Sequence, residues 1–403
     1  MTRRAGNGWR HLRGFLTADP GDGGPRVAGE AAAGGRHPRS PTRSSGRAAA
    51  IVQGLSPGYF PFVMATSIIS TGMLVLGPLW LSRALLVVAA AGFAVLSVAV
   101  LTQLLFFRPR VVAAFHDSER IFGYFAIAAG INVLGVRLAA AGHPLVTAIL
   151  AAVAAAVWLV LTYAIPASLL VARTHVSAVG DVNGTWLLWV VATQSLSLVA
   201  STLVTAWPSQ SALLAPVAVG LWSIGLLLYL LLVSLILLHW LTEPMTPQTL
   251  TPPYWILMGA TAIIVLAGAR ILGLSATLPV VRAASGFVEG FSFALWAFGT
   301  WWVPLLVVLG IWRHLRSRWP LTYEPSLWSV VFPLGMYSVA TLTFGKVAHL
   351  AFMEPLSRFM IWVALAAWLA VAAAFAVRVQ ARGRTGRPAS DVHGRDGTVP
   401  GRA

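Results

Sequence analysis

Apolar residues gather into ten long segments separated by short polar connections, at about 57–76, 84–107, 121–140, 145–171, 184–206, 212–240, 253–274, 287–313, 326–345 and 353–377. At about 1.5 Å per residue each can cross a hydrocarbon core roughly 30 Å thick, so the pattern predicts ten transmembrane helices. Every second segment opens alike. Gly58-Tyr59-Phe60, Gly123-Tyr124-Phe125, Gly184-Thr185-Trp186, Pro253-Tyr254-Trp255 and Ser326-Leu327-Trp328 each set a small or turn-forming residue two positions before an aromatic. The five aromatics stand 65, 61, 69 and 73 residues apart. A steady period of that kind predicts a repeated unit, here a helical hairpin used five times, and five hairpins with nothing left over predict a ring around an axis.

The two members of each hairpin differ in pattern. Even segments are nearly pure runs of Leu, Val, Ala and Trp, such as residues 226–233, which suit a lipid-facing position. Odd segments interleave small and polar residues. Thr66, Ser67 and Ser70 lie in the first, Gly130 and Asn132 in the third, and Thr193, Gln194 and Ser197 in the fifth. Gly259 and Thr261 lie in the seventh, and Ser338 and Thr341 in the ninth. Small and hydroxylated residues serve helix–helix packing in membranes, but their restriction to odd segments predicts a polar lumen. The expected fold is therefore an all-α integral membrane protein of ten transmembrane helices in five hairpin repeats, odd helices forming a central pore and even helices an outer ring. Superposing the repeats puts Met64, Ala129, Val190, Gly259 and Phe332 at one level. Phe332, beside Pro333, which is expected to kink its helix, is the candidate gate: a bulky apolar constriction there closes a narrow lumen by dewetting, the alternative being that the ring packs between helices.

Composition supports the membrane assignment. The chain is 58% hydrophobic and 10% charged, against about 25% charged in soluble domains. It has no cysteine, which excludes disulfides and thiol chemistry. The net charge of +16 is not a nucleic-acid footprint, because the arginines sit in the terminal stretches and alternate connections. Counting tails, 22 basic residues fall on the side of the termini and 6 on the other, and 7 against 6 without tails, which predicts both termini cytoplasmic. Residues 1–54 and 379–403 read as disordered basic tails flanking a 55–378 transmembrane domain.

Acidic residues Asp117, Glu119, Asp181, Glu243, Glu289, Glu324 and Glu354 all fall in connections or near segment ends, which argues against a proton or sodium relay. Arg137, Arg270 and Lys346, toward the outer ends of odd segments, predict a positive outer vestibule that concentrates anions. Histidines are scattered without ligand spacing, and neither a P-loop nor a nucleophile elbow occurs, so no metal, cofactor or catalytic residue is expected and the chain does not read as an enzyme.

The stretch Leu55-Ser56-Pro57-Gly58-Tyr59-Phe60-Pro61-Phe62-Val63-Met64-Ala65-Thr66 resembles the first helix of the tellurite-resistance/C4-dicarboxylate transporter family, which includes the plant slow-type anion channels. Trp301-Trp302-Val303-Pro304 is similar to its eighth helix and Trp328 through Tyr337 to its ninth. The resemblance covers about residues 55–378, with Ser67 departing from an expected glycine. It implies five hairpins around an anion pathway, often in trimers, with the gating phenylalanine at Phe332. The expected function is passage of small inorganic or dicarboxylate anions across a bacterial plasma membrane, with lipid as the other partner. The alternative is a proton-coupled C4-dicarboxylate carrier, or a tellurite or sulfite exporter.

Overall fold

The computed structural model describes residues 57–106, 121–172 and 180–385. Within these the chain forms ten α-helices: α1 (Phe60–Leu76), α2 (Leu79–Phe106), α3 (Phe125–Ala139), α4 (Pro144–Ala172), α5 (Leu188–Ala206), α6 (Ser211–Thr242), α7 (Ile256–Leu272), α8 (Pro279–Ile311), α9 (Trp328–Val347) and α10 (Met353–Thr385). Nine are long and apolar enough to cross a membrane, and α1 is a shorter apolar helix. The chain is a multi-pass membrane protein. The expected tail at 1–54 and the residues 386–403 lie outside the described residues, as do Asp117, Glu119, His116 and His175.

The repeated aromatic marks a structural joint. Each odd helix is entered through a short 3-10 turn, Pro57–Tyr59, Ile121–Tyr124, Gly184–Leu187, Pro252–Trp255 and Pro325–Leu327. Neighbouring turns touch, and the last touches the first, so the five make a closed ring. Aromatic rings fill the joints. Phe122 stacks on Trp186 with centroids 4.4 Å apart, and Phe62 of α1 meets Trp328 of α9 edge-on at 4.9 Å. At Gly184 a β-carbon would lie 2.4 Å from the carbonyl carbon of Pro253 and 2.5 Å from the amide nitrogen of Tyr254. Only glycine allows those two turns to press backbone to backbone.

The odd helices form the inner ring. They pack in the order α1, α3, α5, α7, α9 and back to α1, while each even helix packs on the odd helix of its own hairpin. Between 78% and 89% of the most apolar window of α3, α5, α7 and α9 is buried, against 11% to 39% for the even helices. The outer faces present side chains such as Leu101, Val160, Leu227 and Trp362 to the surroundings. Lipid solvates such surface at no cost, so the apolar runs of the even helices need no protein cover.

Three helices outrun their expected bounds. α2 begins at Leu79 rather than 84, and α8 at Pro279 rather than 287, with proline in its first turn, where a missing amide is harmless. Glu289 therefore stands ten residues inside α8, exposed on the outer ring, rather than near its start. α10 continues to Thr385, so residues 379–385 are helix and not tail. Arg378 anchors that extension, donating to the Tyr323 carbonyl and lying 5.9 Å from the centroid of the Tyr323 ring. Burial pushes the Tyr323 phenol above its ordinary range, and it accepts from the Trp328 indole at 3.2 Å.

Candidate functional site

The five inner helices close around one axis, and the hydrogen bonds fix which face of each helix points away from it. Ser338 Oγ donates to the Ser357 carbonyl of α10 at 2.9 Å, and Ser357 Oγ returns the bond to the Ser338 carbonyl at 2.8 Å. Ser338 thus marks the outward face of α9. At about 100° per residue, Ser329 and Met336 fall roughly opposite it, and Phe332 lies about 120° round from it. Phe332 is 1% exposed, and its level-mates Met64, Ala129, Val190 and Gly259 are buried too. A methyl on Gly259 would lie 2.7 Å from Pro333 Cγ, and one on Gly335 would lie 2.9 Å from Ile68. Glycines on both sides therefore let α9 seat between α7 and α1 with Phe332 enclosed at the ring.

The hydroxyls expected along the lumen mostly face outward instead. Thr66, Thr193 and Thr341 accept from the indole N–H groups of Trp368, Trp158 and Trp296 at 2.9, 2.9 and 3.0 Å. Gln194 donates to the Trp222 carbonyl at 2.8 Å and Ser197 to the Ala218 carbonyl at 2.7 Å, both on α6. Thr261 bonds the Met258 carbonyl of its own helix and sits over Gly299 of α8. Ser70 is paired with Ser82 of α2. The physical reason is that a hydroxyl in an apolar bundle seeks the nearest acceptor or donor, and the hairpin partner supplies one.

Of the remaining expected lining residues, Asn132 donates to Ser195 at 2.9 Å between α3 and α5, and Gly130 and Met64 meet where α1 packs on α3. The Ser67 hydroxyl is buried with no hydrogen-bond partner.

The indole bonds form a pattern of their own. Trp158, Trp296 and Trp368, together with Trp222, which donates to the Ile264 carbonyl at 2.9 Å, each tie an outer helix to the inner helix of the next hairpin. They recur 64, 74 and 72 residues apart, the repeat period, and Phe93 stands 65 residues before Trp158 in α2. That spacing was available in the sequence, hidden inside segments read only as apolar.

The three inner-helix cations separate into two groups. Arg270 and Lys346 are exposed in the last turns of α7 and α9. Arg137, in the last turn of α3, is 2% exposed. It does not open to a vestibule. Its Nε donates to Ser70 Oγ at 2.9 Å and its Nη2 to Ser82 Oγ at 3.0 Å. Each of those hydroxyls donates in turn to the carbonyl of the other serine, at 2.7 and 2.6 Å. The guanidinium thus locks α1, α2 and α3 together through oxygens already polarised by their own bonds.

The electrostatics of the inner ring follow from its parallel helices. All five N-termini share one ring of turns, and none has an acidic residue in its first turn. Helix N-termini carry roughly half a positive charge each, so this end of the ring favours anions. At the opposite end the helix C-termini are negative, but Arg137, Arg270 and Lys346 occupy the last turns of three of the five. The inner helices contain no Asp, Glu or His. No group of metal-ligating side chains gathers among the described residues.

A ring of five hairpins with cations at one end and helix N-termini at the other has the features of a membrane protein for anion transport. The chain belongs to the voltage-dependent anion channel family, whose model matches residues 54–376. An uncharacterized membrane protein of Mycobacterium tuberculosis is 46% identical over 172 residues, covering 42% of this chain and 87% of the relative. Two uncharacterized transporters of Methanocaldococcus jannaschii are 24% and 23% identical, over 37% and 36% of this chain and 42% and 41% of their own lengths. The family and the two transporters among the relatives support transport of anions in general.

Proposed function

We propose that this protein is a passive anion conduit of a bacterial plasma membrane, with both termini cytoplasmic, and that Phe332 is its gate. The observation that carries the reading is the sign of the inner ring: five converging helix N-termini at one mouth, three cations in the last turns at the other, and no carboxylate between. Arg270 and Lys346 recruit anions at the outer mouth, and Arg137 adds a fixed positive charge below them. The path narrows at Phe332, Met64 and Val190, where small Ala129 and Gly259 leave the phenylalanine as the bulkiest ring in the level. In this reading the enclosed Phe332 is a closed gate, and moving it opens a short apolar throat that an anion crosses fast because nothing there binds it tightly.

The test is the reversal potential of Phe332→Ala in planar bilayers under a potassium chloride gradient. The reading predicts a value close to the chloride equilibrium potential. A value near the potassium potential, or flux that needs a proton gradient, overturns it.

A further inference from the structure

At the membrane face where α9 begins, a cavity of about 70 Å³ opens between the approach to α7, the end of α8 and the first turns of α9. Thr251, Trp255, Gly310, Leu327 and Val330 wall it, and Arg313 reaches it from the π-helical turn Trp312–Arg316. The anion path described above makes no use of it. Such π-turns in long helices recur at functional sites.

Arg313 is 8% exposed, and its Nε is buried with no hydrogen-bond partner. The guanidinium lies 5.8 Å from the Trp319 ring centroid, a contact that leaves an N–H unsatisfied. Glu324 is the carboxylate whose charge reaches it, but Glu324 accepts from the Ser326 hydroxyl and makes no bond to the arginine. His314, also on the wall, is engaged through Nδ1 with the Trp319 carbonyl at 3.0 Å. A buried cation on the wall of a cavity with room for more than a single water, keeping an N–H without a protein partner, matches a tetrahedral oxyanion better than it matches solvent alone.

We propose that this cavity binds a phosphate-class oxyanion, held by Arg313, as free phosphate or as the headgroup of an anionic lipid at the membrane face. Leu327 and Val330 form part of its wall, and Phe332 follows Val330 by two residues on the same helix, just before Pro333. Occupancy therefore sets the position of the short stub of α9 that carries the phenylalanine. That regulatory half rests on the gate reading; the binding half does not.

The experiment uses the purified full chain and two variants. Arg313→Gln removes the donor. Gly310→Leu fills the cavity and keeps the charge, and a β-carbon at Gly310 meets no atom within 4 Å, so the fold tolerates it. Calorimetric titration with inorganic phosphate and native mass spectrometry after incubation with phosphatidylglycerol read the two sources separately.

Phosphate binding weakened ~10-fold or more in both variants identifies a free-anion site. No phosphate binding, with a phosphatidylglycerol adduct lost in both variants, identifies a lipid headgroup site. Neither ligand bound by the wild type, or equal binding by all three proteins, overturns the proposal. In bilayers, the bound ligand is expected to change wild-type currents and leave Gly310→Leu unaffected. Binding without that change sinks the regulatory half alone, and absence of any current from Phe332→Ala sinks the gate reading while the binding result stands.

Discussion

Replacing Ser82 by alanine isolates what it costs to deprive a buried arginine of one partner. The Ser82 hydroxyl makes two bonds, donating to the Ser70 carbonyl at 2.6 Å and accepting from Arg137 Nη2 at 3.0 Å. A neutral side-chain bond between transmembrane helices contributes about 0.6 kcal/mol on average. A bond to a charged group contributes about 1.5–3 kcal/mol. Ser82→Ala is therefore expected to destabilise the protein by about 2–3.5 kcal/mol.

Arg137→Met removes the charge together with its desolvation cost and leaves both serines donating to each other's carbonyls, so it is the milder change. In the Arg137→Met background, Ser82→Ala forfeits only the neutral bond, about 0.6 kcal/mol. The difference, about 1.5–3 kcal/mol, is the coupling a double-mutant cycle reads. Intrinsic fluorescence is well suited to the unfolding titrations in detergent, since the chain has 17 tryptophans. Equal cost of Ser82→Ala in both backgrounds refutes the lock, as does Arg137→Met proving the most damaging of the three.

Three further outcomes follow from the geometry. Gly184→Ala drives a methyl into the backbone of Pro253 and Tyr254 and is expected to cost about 1–3 kcal/mol in the same titration, whereas Gly123→Ala, at the matching joint with no atom within 4 Å, leaves the midpoint unchanged. Arg270→Gln with Lys346→Gln lowers anion conductance at low salt, and the loss disappears toward 1 M salt, where the screening length falls to about 3 Å; a loss that persists at high salt contradicts recruitment by long-range charge. Because the inner helices hold no Asp, Glu or His, conductance through an opened path stays flat between about pH 5 and 8, and a steep titration there in single-channel records contradicts a path without a relay.

The ring was legible in the sequence because the repeat leaves depth markers. Phe60, Phe125, Trp186, Trp255 and Trp328 each sit in or directly after a 3-10 turn, and the alternation of mixed and purely apolar segments separates inner from outer helices. Azimuth was not legible. Thr66, Thr193 and Thr341 share a helix class with axis-facing residues, but only the positions of Trp368, Trp158 and Trp296 show that their hydroxyls turn outward. Arg137 misled for a related reason. An arginine near a helix end can snorkel to headgroups or line a mouth, and its inward turn depends on the crossed serine pair, whose members come from two other helices. The early starts of α2 and α8 were hidden because polar residues such as Arg83 and Arg282 interrupt the apolar pattern without breaking the helix.

The measurement that bears most directly on the account is the current through wild type and Phe332→Ala, each purified and reconstituted in planar bilayers. A gate formed by Phe332 predicts little current from the wild type and a large, anion-selective current from the variant, linear over a wide range of anion concentration. No current from either protein, together with saturable dicarboxylate uptake into liposomes that tracks a pH gradient, contradicts the conduit and establishes a coupled carrier in its place.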